Sequence, residues 1–277
     1  MGWVDRMTEN RTIRVGIIGM GAIGQRVASL ILENQHDLRL CALLVKPGAS
    51  KDVTRFGEDC RACTDLNDFL AQAPDIAVEC ASTQAFADHG PKLLSAGIDL
   101  MPLSLGALCD PVTEAKMTQA AQTGPGRLEV PGGALGGLGV IASARHSGLR
   151  RAVFRATYPP TRWIDMSKSA DVDRTNFPDG TPFLSGSVRE IVGQFSGDLN
   201  VAVGVALAGL GLDRTEMEVC SDSNLTQASF TLSIWSLSGN ARLEIAGRDA
   251  PVDADPCDLT AFSLVRLLER RLSPIAC

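Results

Sequence analysis

Hydrophobic positions in the first 130 residues fall into short continuous runs, separated by stretches with helical spacing. Ile13–Ile18 is an unbroken apolar run, the pattern of a strand covered on both faces. Ala22–Glu33 follows, with Ile23, Val27, Leu30 and Ile31 spaced along one helix face. Further strands are predicted at Leu38–Val45, Asp75–Cys80 and Asp99–Leu103. Helices over Gln84–Ser95 and Pro111–Gln122 follow the last two, and Arg127–Val130 adds an edge strand. Such alternation predicts an α/β fold whose first domain, residues 1–130, is a doubly wound parallel sheet of the Rossmann kind.

The pattern changes at Pro131. The glycine-dense segment Pro131-Gly132-Gly133-Ala134-Leu135-Gly136-Gly137 suits close backbone approach to a ligand, or a tight strand-to-helix turn. Beyond it, Arg150–Thr157, Gln227–Trp235 and Ala241–Ala246 read as strands, and Val188–Gln194 and Asn200–Gly209 as helices. This predicts an α+β second domain over residues 131–258. Residues 259–277 form a last piece. Its helix, Leu259–Arg271, has Phe262, Leu264, Val265, Leu267 and Leu268 available to pack back on the first domain.

Gly19-Met20-Gly21-Ala22-Ile23-Gly24 is a G-x-G-x-x-G between the first strand and the first helix, the context that a dinucleotide fingerprint requires. Gly19 permits the tight turn, Gly21 lets the backbone approach a pyrophosphate, and Gly24 lets helix and strand pack closely. Helix N-terminal N–H groups at Ala22 and Ile23 favour the phosphates. The second strand runs into Leu44-Val45-Lys46-Pro47-Gly48, with no acid between Leu40 and Ser50 to bind a ribose diol. Lys46 would attract a 2′-phosphate, which favours NADP or tolerance of both NADP and NAD; alternatively Lys46 is a solvated loop residue.

Composition narrows the function classes. The 277-residue chain is 45% hydrophobic and 21% charged, enough apolar material for two cores. Its net charge is −6 with scattered cations, so no footprint for nucleic acid or a membrane surface is expected. Met1–Asn10 has no apolar core segment and Val201–Leu212 is too short to span a bilayer, which makes the cytoplasm the expected compartment. The eight cysteines are spread along the chain. Cys60 and Cys63 form a C-x-x-C with no second pair at ligand spacing, so they read as two loop thiols and no metal site is expected.

Longer motifs carry a resemblance. Val78-Glu79-Cys80-Ala81, Ala96-Gly97-Ile98-Asp99-Leu100, Ser104-Leu105-Gly106-Ala107-Leu108, the glycine-dense segment with Leu138, Asn200-Val201-Ala202-Val203 and Ala208-Gly209-Leu210-Gly211-Leu212-Asp213-Arg214 together resemble the L-aspartate dehydrogenase family. The resemblance implies reversible NAD(P)-linked conversion of aspartate to iminosuccinate, and a homodimer. It also implies cofactor contacts from Cys80 and Ala81, and nicotinamide contacts from Ala134 and Asn200.

Departures fall on the substrate side. The position of the family's catalytic histidine is occupied by Phe230, or by Thr226 in a shifted alignment on Asn224. His36, His89 and His146 do not fit the motif and read as exposed or helix-end residues. Tyr158-Pro159-Pro160 has tyrosine where the family has lysine, Gly139 stands for an aspartate, and Asp255-Pro256-Cys257-Asp258-Leu259 lacks the loop lysine. Losing these groups weakens recognition of two carboxylates and proton exchange with an imine nitrogen. Tyr158 could supply a phenolic proton or be structural; Arg162, Lys168 and Arg174 could bind a carboxylate or be surface charges.

Three functions follow. The first is an oxidoreductase for a small imino or oxo acid. The second is a reductase for a larger or less charged imine or carbonyl. The third is a silent dinucleotide-binding protein.

Overall fold

In the computed structural model, which describes residues 12–33, 37–48, 56–57, 59–166, 177–195, 199–247 and 258–275, Ile13–Ile18 is strand β1. It lies at the centre of a parallel sheet ordered β3 (Arg61–Cys63), β2 (Leu38–Leu44), β1, β4 (Ile76–Glu79), β5 (Asp99–Pro102). All of β1 but Arg14 is buried, because both faces are covered. Ile13, Val15 and Ile17 share a core with Val27, Ala28 and Ile31 of helix α1 (Ala22–Glu33). On the other face Gly16 leaves room for Phe69 of α2 (Leu66–Ala71): a Cβ at Gly16 would lie 2.3 Å from its ring. Val15 pairs with Leu40 of β2 and with Ile76 of β4, so the strand order reverses at β1. The carboxyl ends of β1 and β4 are therefore the topological switch point, where open α/β sheets bind ligands.

Helix α3 (Thr83–Ser95) links β4 to β5, capped by Ser82 Oγ accepting from Ala85 N at 3.1 Å. Helix α4 (Pro111–Thr123) follows β5. Helix α9 (Asp258–Glu269) adds Leu264, Val265, Leu267 and Leu268 to the α1 core. Past its end, Arg271 pairs with Asp99 at 2.8 Å and Glu129 at 2.9 Å. Phe262 departs from expectation: it is 41% exposed, its ring under the Arg26 guanidinium at 5.5 Å. The strand foreseen at Arg127–Val130 reduces to one bridge between Leu128 and Leu100. The C-x-x-C is also corrected. Cys63 belongs to β3 and Cys60 lies just before it, both buried. Burial pushes Cys60 up to about 12 and raises Cys63, so both remain protonated thiols.

The chain divides into two compact units, Met1–Leu103 with Lys116–Pro131 and Thr260–Cys277, and Ser104–Ala115 with Gly132–Leu259. The second unit holds a mixed sheet ordered β10 (Gly239–Ala246), β9 (Ser229–Ser236), β6 (Leu149–Tyr158), β8 (Glu216–Ser221), β7 (Pro182–Ser187). Only the β6–β8 pair is parallel. Phe154 pairs with Met217 and Leu232, and Ala156 with Val219 and Phe230, which makes one apolar face. The other face carries ion pairs, Arg151 with Glu216 at 2.7 Å and Arg155 with Glu218 at 2.6 Å. Helices α5 (Leu138–His146), α6 (Pro160–Met166), α7 (Val188–Val192) and α8 (Asn200–Ala208) complete the unit. An α/β fold with a Rossmann-type sheet and an α+β second part is thus borne out.

Candidate active site

Each fingerprint glycine has a separate task. Gly19 has φ +92, and a Cβ on it would sit 2.7 Å from Ala81 Cα. A Cβ on Gly24 would sit 2.1 Å from Gly19 O, so α1 reaches the turn this closely only with glycine there. Gly21 differs: a Cβ there meets nothing within 4 Å. The first helical bond of α1 runs from Gln25 N to Gly21 O at 3.0 Å, so the N–H groups of Ala22, Ile23 and Gly24 precede it. The first turn of α1 carries no acid to compete with an anion. These features fit a dinucleotide pyrophosphate.

The turn opens into a cavity of about 650 Å³, lined by the ends of β1, β2 and β4, the start of α2 and one side of α3. Gly19, Gly21, Lys46, Cys80 and Ala81 line it; Ala22, Ile23 and Gly24 are absent from its lining. Lys46 is exposed at its rim. Burial holds the Cys80 thiol far above its ordinary value, so it is wall and not nucleophile. Glu79, 1% exposed, accepts from Ala81 N at 2.7 Å and Ser82 N at 3.0 Å and so shapes the loop after β4. A buried carboxylate held this way is a site-forming residue the sequence pattern concealed inside a strand. His89 requires a correction. It is mid-helix in α3, half-buried and part of the cavity wall, and not at a helix end. Its Nδ1 is buried with no partner among the described residues, a condition that costs about 1–3 kcal/mol. Burial lowers its pKa, with Lys92 assisting and Asp88 opposing.

In the second unit, the glycine-dense segment is a turn entering α5, with Gly133 at φ +55 and Gly136 at φ +68. A Cβ on Gly133 would lie 3.4 Å from Val201, so the turn that holds Ala134 sits at the start of α8 beside Asn200. Asn200 Oδ1 accepts from Gly106 N at 2.7 Å. Arg189 holds the adjoining Leu105–Cys109 turn by donating to Leu108 O and Cys109 O, and pairs with Glu114 and Asp213. Phe230 and Tyr158 also come together, at 5.8 Å between ring centroids; Phe230 stacks on Phe154, and Tyr158 lies edge-on to Trp163 at 4.8 Å. Thr226 is exposed in the turn before β9, His146 is exposed at the end of α5, and Arg162 is exposed on α6. His36, Lys168, Arg174 and the segment 255–257 lie outside the described residues. Among the described residues, no group of three His, Cys, Asp or Glu side chains could hold a metal ion, and no helix is long and apolar enough to cross a membrane.

Comparison with known proteins places both halves. Residues 19–131 match the family described as homoserine dehydrogenase, NAD binding domain, and residues 139–271 match aspartate dehydrogenase, C-terminal. The chain is 33% identical over 258 residues to L-aspartate dehydrogenase 1 of Bordetella pertussis, covering 93% of this chain and 95% of that protein. It belongs to the L-aspartate dehydrogenase family. The L-aspartate dehydrogenase of Ralstonia pickettii is 30% identical, over 95% of this chain and 99% of its own. The crystal structure of aspartate dehydrogenase from Thermotoga maritima shares the fold, with a TM-score of 0.72 at 22% identity over 96% of this chain and 99% of that one. As a family member, the protein is an NAD(P)-dependent dehydrogenase with a nicotinamide dinucleotide cofactor.

Proposed function

We propose that this dehydrogenase transfers hydride between NAD(P)H and a small imino or oxo acid whose side chain is less charged than that of iminosuccinate. The cofactor supplies the hydride. In this assignment Ala134 and Asn200 contact the nicotinamide end, Phe230 is an apolar pocket wall, and Tyr158 holds the proton exchanged with the substrate nitrogen. The observation that carries the substrate shift is Phe230 itself, 8% exposed in an aromatic face with Phe154 and Tyr158. Between residues 132 and 259 the single histidine is His146, exposed at the far end of α5. Phenyl rings such as Phe230 and Phe154 neither neutralise a second carboxylate nor exchange a proton, which leaves the exchange to Tyr158. Phe230 also lies in a strand, as the family's histidine does, which favours this alignment over Thr226.

Lys46 at the rim and the lack of an acid after β2 support NADP over NAD. A homodimer in the cytoplasm completes the assignment, on kinship; sedimentation velocity checks the assembly. Turnover with oxaloacetate plus ammonia, set against 2-oxo acids with uncharged side chains plus ammonia, tests the substrate class. The acids with uncharged side chains are expected to give the higher kcat/KM, and a preference for oxaloacetate would overturn the shift. Phe230→His is expected to raise kcat/KM on oxaloacetate plus ammonia by on the order of a hundredfold, the lower end of what a positioned acid–base group contributes. A folded variant with no gain would remove Phe230 from the assignment.

A further inference from the structure

Two buried side-chain polar atoms lack a partner among the described residues, Thr215 Oγ1 and His89 Nδ1, and of their residues only His89 lines the dinucleotide cavity. Gln84, Ala85, Asp88 and His89 form one side of α3 and face the cavity together. The opposite wall is the end of β2, Leu44–Pro47, with Thr64–Leu66 at the start of α2. At 1.5 Å per residue, His89 lies about 9 Å along α3 from Thr83, well away from the glycine turn that takes the pyrophosphate.

We propose that His89 is the adenine-reading residue of this site: its imidazole hydrogen-bonds an edge of the base while Ala85 and Leu66 lie against the ring. The assignment rests on the dinucleotide reading of the cavity. With Nδ1 enclosed, Nε2 is the nitrogen left to meet the cavity, and in a neutral imidazole it carries either the N–H or the lone pair. The adenine edge offers both an amino donor and ring-nitrogen acceptors, so it can pair with that single nitrogen in either tautomer. A 2′-phosphate is the poorer occupant of this spot. Burial disfavours the charged form of His89, and the Asp88 carboxylate beside it on α3 repels a dianion, whereas Lys46 stands on the opposite wall. Gln84 Nε2 donates to both oxygens of Asp88 at 2.9 Å, which ties that carboxylate to the helix surface.

The test uses ligands that contain or lack the base. ADP-ribose and NADH carry adenosine; reduced nicotinamide mononucleotide does not. By calorimetry and fluorescence, His89→Leu is expected to weaken ADP-ribose and NADH by the same factor, about five- to tenfold, and to leave the mononucleotide unchanged. His89→Gln, which keeps a donor and an acceptor, restores most of the loss. A second readout needs no variant: in wild type labelled with ¹⁵N-histidine, three imidazoles are present, and ADP-ribose is expected to shift the His89 nitrogens while the mononucleotide does not. Unshifted His89 resonances at saturating ADP-ribose, or equal ADP-ribose affinity in His89→Leu, overturn the proposal alone. If neither NADH nor ADP-ribose binds the wild type, the dinucleotide reading fails with it.

Discussion

Gly21→Ala is expected to leave thermal stability nearly unchanged while weakening NADPH and NADH binding by at least about tenfold, or ~1.4 kcal/mol. A methyl group on Gly21 meets no atom within 4 Å, so the folded chain accepts it. The space it enters belongs to the cavity at the glycine turn, where the backbone must come close to the pyrophosphate. Gly24→Ala is the contrasting control. Its methyl would lie 2.1 Å from Gly19 O, so α1 must move off the turn and the melting temperature falls together with binding. Fluorescence titration beside thermal melting separates the two. A Gly21→Ala variant of full affinity would place the pyrophosphate elsewhere.

Trp163→Ala is expected to produce the largest loss of stability, about 3–5 kcal/mol. The ring is fully buried, makes aromatic contacts with Tyr158, Phe183 and Phe195, and donates Nε1–H to Cys220 O at 2.8 Å. Removing it leaves a cavity and takes a donor away from the Cys220 carbonyl. In a chain of this size that lowers the melting temperature by on the order of 10 °C. Trp163→Phe keeps much of the packing and loses the hydrogen bond, a cost of about 1 kcal/mol. Tyr158 loses the surface that orients it in the alanine variant, so turnover by the remaining folded protein falls as well. A melting temperature within about 2 °C of wild type would show that the aromatic cluster does not hold the second sheet together.

The elements that could be read from the chain were those whose burial is written in consecutive residues. Strands β1 and β2 are apolar throughout apart from one arginine each, and α1 repeats its apolar positions at helical spacing. Strand β3 escaped because it has three residues, two of them exposed. β7 begins with proline and contains glycine, and β8 alternates acids with Met217 and Val219; both acids pair with arginines on the neighbouring β6. Helices α5 and α6 follow glycine and proline segments that conceal their starts. The place of His89 in the cavity wall is not legible in sequence, because a single polar residue on a helix carries no sign of which wall it joins.

Local order in the chain was sufficient to specify the phosphate turn, because a strand, three glycines and a helix start are contiguous and their geometry follows from backbone sterics. It also gave the expectation, taken up in the proposed function, that the second half departs from its kin at Phe230 and Tyr158. That these two rings meet, that Glu79 braces the loop after β4, that Asn200 is tied to Gly106, and that α9 completes the core of the first unit were decided only by folding. Each is a contact across a register or a crossover, and residue spacing along the chain carries no information about which distant side chain will close it.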